Sequence, residues 1–342
     1  MTVVRIDAAA DLPGGWDALA SSPFQRRAFL AHAERRNPCR QRYYALSRGG
    51  RVVAGCCCYT LRLDLLTFAR LPSPVRVQFM GVPCSCSAPG VIGDANDAAA
   101  LVAEVCRRER GLVVGLNLDA PVGPPAAATG RTLPAVVLDL PFASFDAYRA
   151  AMRSDYRRRL DRTLAAWDGV AHERLPCAAY DDAMHAQYLD VRRRSGAKLE
   201  RLDAAFLRDL PDGFHLTAHR RDGRLLGWHA TVTDGASRAF FLGGVDRETN
   251  RVGGQAKSGA FDYFNLLAAV VREAIGDGVR SLDLGQTAEV PKTRLGGRLV
   301  EKGMFGWHRS RLVRALLRRF SGLLEYPRRV PETHVFRAEA AA

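Results

Sequence analysis

"GFHLTAHRRDGRLLGWHATVTDGASRAFFLGGV", residues 213–245, contains three runs of alternating apolar and polar residues joined by "RRDGR" and "TDGAS". Alternation with a period of two puts successive side chains on opposite faces of a strand. Asp-Gly between two such runs marks a tight hairpin. The stretch therefore predicts a three-stranded antiparallel meander. A glycine-containing loop, "DRETNRVGGQAKSG" (246–259), follows, then the helical pattern "AFDYFNLLAAVVREAIGDG" (260–278) and the short strand "VRSLDLG" (279–285). A meander feeding a loop, a helix and another strand describes an α/β class with a mixed sheet and helices packed on it.

Upstream, the same alternation of elements occurs a first time. "SSPFQRRAFLAHAERR" (21–36) opens with serines and a proline and continues with apolar residues at three- and four-residue steps, a helix with its start signal. "QRYYALSR" and "GRVVAGCCCYTLRL" read as strands turned at "RGG", and "DANDAAALVAEVCRRER" (94–110) as a helix acidic at its start and basic at its end. "GLVVGLNLD" reads as a buried strand. The Pro-, Ala- and Gly-rich "APVGPPAAATGRTLP" (120–134), before the strand "AVVLDL", is the candidate boundary between two halves. "SFDAYRAAMRSDYRRRLDRTLAAW" (144–167) reads as one long helix, and "CAAYDDAMHAQYLDVRRRSG" and "DAAFLRDL" supply more. The expected division is a domain over 1–140, a second over 141–310, and a basic amphipathic helix and tail over 311–342.

With 342 residues, 47% hydrophobic and 25% charged, the composition is that of a globular protein of about two domains. The first 30 residues lack a basic start followed by an apolar core, so no secretory signal is expected. No window reaches the ~18 apolar residues of a membrane span. Of the eight cysteines, Cys56, Cys57 and Cys58 alternate along a strand and cannot converge on one ion, and Cys84 and Cys86 lack a second pair at zinc-binding spacing. Plain buried thiols in a reducing cytoplasm are expected, with Cys58 or Cys86 as an acyl carrier a weak alternative. The formal net charge of +14 favours an anionic partner: nucleic acid, a phosphate-rich cofactor or an acidic membrane. Solvated arginine faces are the plainer explanation.

The meander, the helix after a glycine-rich loop and the strand ending in "DLG" resemble the acyltransferase fold of the GNAT superfamily. More narrowly they resemble its FemAB-like branch, in which two such folds share a chain. The helix "YRAAMRSDYRRRLDR", the unit "FNLLAAVVREAIGDGVRSLDLG", the following "PKTRLGG" and the early "SPFQRRAFLAHAE" carry that likeness. It implies two tandem GNAT-like folds and acyl transfer to an amine.

Such chemistry needs a donor held by its phosphates, charge to stabilise an oxyanion, and a proton acceptor. "RVGGQA" can be scanned as the phosphate-cradling loop of GNAT enzymes, with Arg251, Gly253, Gly254 and Ala256 as cofactor-binding candidates and an ordinary loop as the competing reading. Lys292, one of only four lysines, lies in the loop after a core strand, and the resemblance implies that its ammonium faces the donor and the tetrahedral intermediate, a surface lysine on that loop being the competing reading. Arg294 and Gln286 are supporting candidates for a phosphate and a carbonyl, while Asp246, Asp283 and His229 are candidates for the base. For Asp283 a structural strand-end carboxylate, and for His229 a satisfied core histidine, are the competing readings. The run Arg157, Arg158, Arg159 and Arg162 is either a solvated face or an anion-binding rim.

In the tail, Leu312, Leu316, Leu317, Phe320 and Leu323 form one helical stripe, read as packing on the body, with a membrane-surface helix as alternative. The expected activity is an N-acyltransferase using acyl-coenzyme A without a metal, with an amine on a lipid or envelope precursor as acceptor. It is placed in the cytoplasm or on the inner membrane face. An aminoacyl-tRNA-dependent ligase and a non-catalytic binding module are the alternatives.

Overall fold

The computed structural model describes residues 1–64, 74–84, 86–119, 123–195, 200–246, 259–324, 326 and 330–337. The chain forms two compact units, Met1–Pro134 with Glu301–Arg328, and Ala135–Val300 with Arg329–Ala342.

The first unit begins with β1 (Thr2–Ile6), α1 (Trp16–Leu19), α2 (Arg27–Arg36), β2 (Arg42–Arg48), β3 (Arg51–Asp64) and β4 (Pro74–Met80). It continues with β5 (Val91–Gly93), α3 (Ala95–Arg108), β6 (Leu112–Leu118) and β7 (Ala128–Arg131). The Asp94 carboxylate caps α3 by accepting from the backbone N–H of Asn96 (2.9 Å) and Asp97 (3.0 Å). The apolar face of α3 (Leu101, Val102, Val105, Cys106) packs with Tyr44, Cys56, Cys58 and Met80 of the sheet. Cys56 and Cys58 share that face because they are two residues apart on a strand. All eight cysteines are free and buried.

The second unit contains β8 (Ala135–Asp139), α4 (Phe145–Ala151), α5 (Ser154–Ala165), β9 (Ala171–Leu175), α6 (Asp182–Arg194) and α7 (Ala204–Arg208). The predicted meander is β10 (Phe214–Arg221), β11 (Arg224–Asp234) and β12 (Ser237–Val245), followed by α8 (Gly259–Gly276), β13 (Ser281–Asp283), α9 (Glu289–Thr293) and β14 (Arg298–Val300). The sheet order is β14-β8-β13-β12-β11-β10-β9. Asp222 and Gly223, both left-handed (φ 49° and 76°), make the β10–β11 turn. Leu266, Leu267, Val270 and Val271 of α8 form the centre of the core with Leu138, Leu282 and Leu284.

The chain then returns to the first unit with β15 (Gly303–Trp307), α10 (Arg311–Arg319) and α11 (Ser321–Leu324). That sheet has the order β1-β2-β3-β4-β6-β15-β7, with β5 on β3. Each sheet is completed within its own unit: β8 pairs with β13 and β14, and β15 with β6 and β7.

Two expectations are corrected. The helix expected over 144–167 is two helices, because Met152 is extended and bridges Phe336 while the Arg153 N–H donates to Val335 O (2.8 Å). The tail is not one packed helix. Leu312, Leu316 and Phe320 of the α10 region are 70%, 50% and 50% exposed, Val313 and Leu317 are half-buried, and Val335 and Phe336 join the core of the second unit. Among the described residues no helix is long and apolar enough to cross a membrane.

Candidate active site

In the second unit, β12 and β13 run parallel but pair over three positions only, Ser237↔Ser281, Arg238↔Leu282 and Ala239↔Asp283. β13 ends there, while β12 continues to Val245, so among the described residues the β13 side of β12 has no strand partner beyond Ala239. Opposite this opening β12 is irregular against β11: Ala230 faces Leu242 and Thr231 faces Phe240, a register shift of one residue at Phe241. A bulge of this kind re-aims backbone groups and is common beside active sites. Phe240, Leu242 and Gly243 are half-buried at the opening.

The turn that leaves β13 forms the facing wall. Gly285, Thr287 and Ala288 all have positive φ (72°, 62° and 49°), which for a β-branched threonine is a strained conformation. Asp283 holds the start of the turn by accepting from the Gly285 N–H (2.7 Å). Lys292 fixes its middle. The Lys292 Nζ donates to the carbonyls of Gln286 (2.7 Å) and Gly285 (3.2 Å), and its side chain is 1% exposed. The expected loop lysine is thus a buried one on α9. Burial lowers its pKa to about 7, against the opposing influence of Asp283 and Glu289. Its ammonium faces two carbonyls, the charge being offset by their dipoles.

Arg294 follows α9 directly; burial first, then the charge of Arg294 and that of Arg162, push the Arg159 guanidinium of α5 below its ordinary value. Arg159 is thus within electrostatic reach of both Arg294 and Arg162. Arg157 and Arg158 belong to the same helix, and Arg158 is paired with Asp155. Arg251, Gly253, Gly254 and Ala256 lie outside the described residues. Gln286 is half-buried and contributes its carbonyl to Lys292.

The other base candidates have structural partners. Asp246 is paired with Arg224 (2.8 and 3.1 Å) at the rung where its N–H donates to Leu226 O (2.7 Å). His229 is 0% exposed with both ring nitrogens engaged, Nδ1 with His219 Nε2 (3.1 Å) and Nε2 with Glu273 Oε2 (3.2 Å). His229 therefore belongs to a chain. His219 Nδ1 lies 2.7 Å from Nδ1 of the exposed His172, while Glu273 also meets His215 Nε2 (2.6 Å), Thr217 Oγ1 (2.8 Å) and Arg238 NH1 (3.3 Å). Burial alone would raise the Glu273 carboxyl, but the histidine bonds hold it well below the usual range. Burial lowers His219 strongly, and lowers His229 and His172, which favours the neutral form of these three rings.

This network was missed because its members are scattered from 172 to 273. The signal was present nonetheless: His215, Thr217 and His219 on one strand face and His229 and Thr231 on the next are polar where a helix must cover them. Asn265 of α8, 1% exposed, has neither amide atom bonded among the described residues. Among those residues no group of three or more metal-ligating side chains converges.

The meander, the parallel strand that parts from it and the covering helix belong to a tandem GNAT-like fold of the kind FemX has. Among solved structures it is similar to FemX, at 11% identity and a TM-score of 0.56, covering 93% of this chain and 100% of that one. It is also similar to a conserved protein of unknown function from Bacteroides thetaiotaomicron VPI-5482, at 10% identity, TM-score 0.54 and coverage of 89% and 99%. A tandem GNAT protein from the clavulanic acid biosynthesis pathway aligns at 16% identity and TM-score 0.47, covering 90% and 98%. No family model matches the chain, and no curated protein matches it.

Proposed function

We propose that the chain is a transferase that moves an acyl group from a coenzyme A thioester to an amine, with the donor lying along the open edge of β12. The observation that carries this reading is the parting of β12 from β13 after Ala239↔Asp283, beside the bulge at Phe241. An unpaired strand edge offers alternating N–H and C=O groups, and an extended arm bearing amides, as coenzyme A has, can add to it as a further strand does. Arg159, Arg162 and Arg294 supply charge for the donor's phosphates. Gly253 and Gly254 remain the proposed close approach of backbone to pyrophosphate.

In the reaction the amine lone pair attacks the thioester carbonyl carbon, the oxyanion is met by backbone N–H groups at the bulge, and the C–S bond breaks. The proton lost by the amine ends on the departing thiol, so amide and free coenzyme A are the products. Lys292 acts as a positioning residue that fixes the strained turn, and His229, Asp246 and Asp283 support the walls.

The proposed acceptor is an amine on a lipid or envelope precursor at the cytoplasmic face of a membrane. Leu312, Leu316 and Phe320, exposed among Arg311, Arg318 and Arg319, support this, since an apolar stripe edged by arginine suits an anionic bilayer surface. The test is melting of the purified chain with millimolar coenzyme A and, separately, with aminoacyl-tRNA. A ligand at 100 times its Kd adds about 2.7 kcal/mol. A rise with coenzyme A is expected. A rise with aminoacyl-tRNA alone would move the donor to the tRNA-borne class, and a rise with neither would favour a binding module without transfer.

A further inference from the structure

At one end of the first unit's sheet lies a cleft of ≈ 550 Å³ lined by Arg5, Arg40, Arg42, Arg76, Arg108 and Arg110, with Glu109 the one carboxylate in the lining. That carboxylate is already neutralised. Arg42, 7% exposed, forms a two-pronged pair with it (Nε to Oε1 and NH2 to Oε2, 2.6 Å each), and Tyr44 OH donates to Oε1 (2.7 Å). The other N–H groups of Arg42 go to the Arg40 carbonyl (3.0 Å), Thr60 Oγ1 (3.1 Å) and Gln78 Oε1 (2.6 Å). Arg42 and Glu109 are therefore a buried floor with no capacity left for a ligand.

The rim differs. Arg5 is paired with Asp7, and Arg108 with Glu104. Arg40, Arg76 and Arg110 are exposed, and among the described residues none has a carboxylate within ion-pair distance. Arg40 is held in the left-handed region (φ 54°), and Arg76 stands directly opposite Arg62 in the β3–β4 register. Like charges placed directly across a sheet are destabilising. Tyr44 is the one aromatic side chain in the lining and its hydroxyl is engaged, so the walls offer little apolar surface to an acyl chain. Guanidinium forks on a rigid, already neutralised floor match phosphate oxygens.

We propose that this cleft binds a compact, multiply charged phosphate group through Arg40, Arg76 and Arg110. The proposal does not depend on the transferase reading of the second unit. The phosphate belongs either to a soluble phosphorylated compound or to a lipid headgroup, and the two sources are separable.

The experiment is calorimetric titration of the full chain with sodium pyrophosphate at low and moderate salt, repeated with vesicles containing phosphatidylglycerol. It compares the wild type with Arg76→Glu/Arg110→Glu and with a control of equal charge change, Arg193→Glu/Arg194→Glu, all checked for unchanged melting. Affinity for pyrophosphate is expected to fall at least tenfold in the rim variant and less than twofold in the control. Binding of pyrophosphate that vesicles do not displace assigns a soluble ligand; rim-dependent vesicle binding that pyrophosphate competes with assigns a headgroup. Absence of both, or an equal loss in the control, overturns the proposal.

Discussion

The Nζ of Lys292 donates to the carbonyl of Gln286 at 2.7 Å from a side chain that is 1% exposed, so an amine holds together the turn that forms one wall of the opening beside β12. A buried amine whose pKa is lowered to about 7 is easily neutralised, and its hydrogen bonds survive the loss of the proton.

Lys292→Met keeps most of the apolar stem but leaves two buried carbonyls without their donor. A loss of about 2–4 kcal/mol of stability is expected. Transfer is expected to weaken more than tenfold through a higher KM for the donor, because the strained Thr287–Ala288 wall relaxes. Denaturant unfolding and steady-state kinetics read the two effects. Unchanged stability would remove the clamp from the account.

The same lysine predicts a pH dependence. From about pH 7 to about pH 10.4 the unfolded chain binds a proton at this position that the folded chain has released, so stability contributed by Lys292 rises with pH across that window. The wild-type curve should climb relative to that of Lys292→Met. Parallel curves would mean that the amine is not desolvated.

The histidine chain acts at lower pH. His219 and His229 have pKa values depressed by burial, so below about 6.5 the unfolded chain takes up protons that the folded one refuses. Stability should fall by up to about 1.4 kcal/mol per pH unit for each of them. Glu273, whose pKa is held low, adds a loss that begins below about 4.5. His215, Arg238 and Arg272 face the same network and should be kept intact in the test. His219→Phe should flatten the slope between pH 6.5 and 5; an unaltered slope would show that the imidazoles titrate in the fold.

Sedimentation with anionic vesicles checks the exposed stripe of the α10 region. Leu312→Ser with Leu316→Ser should reduce binding at least tenfold while melting changes little, since both side chains are at least half exposed. A large fall in melting temperature would instead show these leucines to be part of a packed face.

Much of each unit is legible in the sequence where its signals are local. The Asp-Gly turn at 222–223 and the alternation of 213–245 specify the meander, and Asp94 and the terminal arginines specify α3. What escapes is set by distant partners. The break at Met152 is imposed by Phe336, and the exchange of β15 into the first sheet depends on pairing with β6 and β7. The burial of Lys292 is hidden because the carbonyls that accept its hydrogens belong to the backbone, which a side-chain pattern does not display. His229 looks solitary along the chain, while in space it is one link between Glu273 and His219.

Hydrogen–deuterium exchange resolved along β12, with and without saturating coenzyme A, tests the central claim most directly. The account predicts slowing of at least tenfold for amides within Phe240–Val245, which gain a partner when the donor lies on the strand edge, and no comparable change in β10. Coenzyme A that binds while the amides of Phe240–Val245 exchange as before would contradict it.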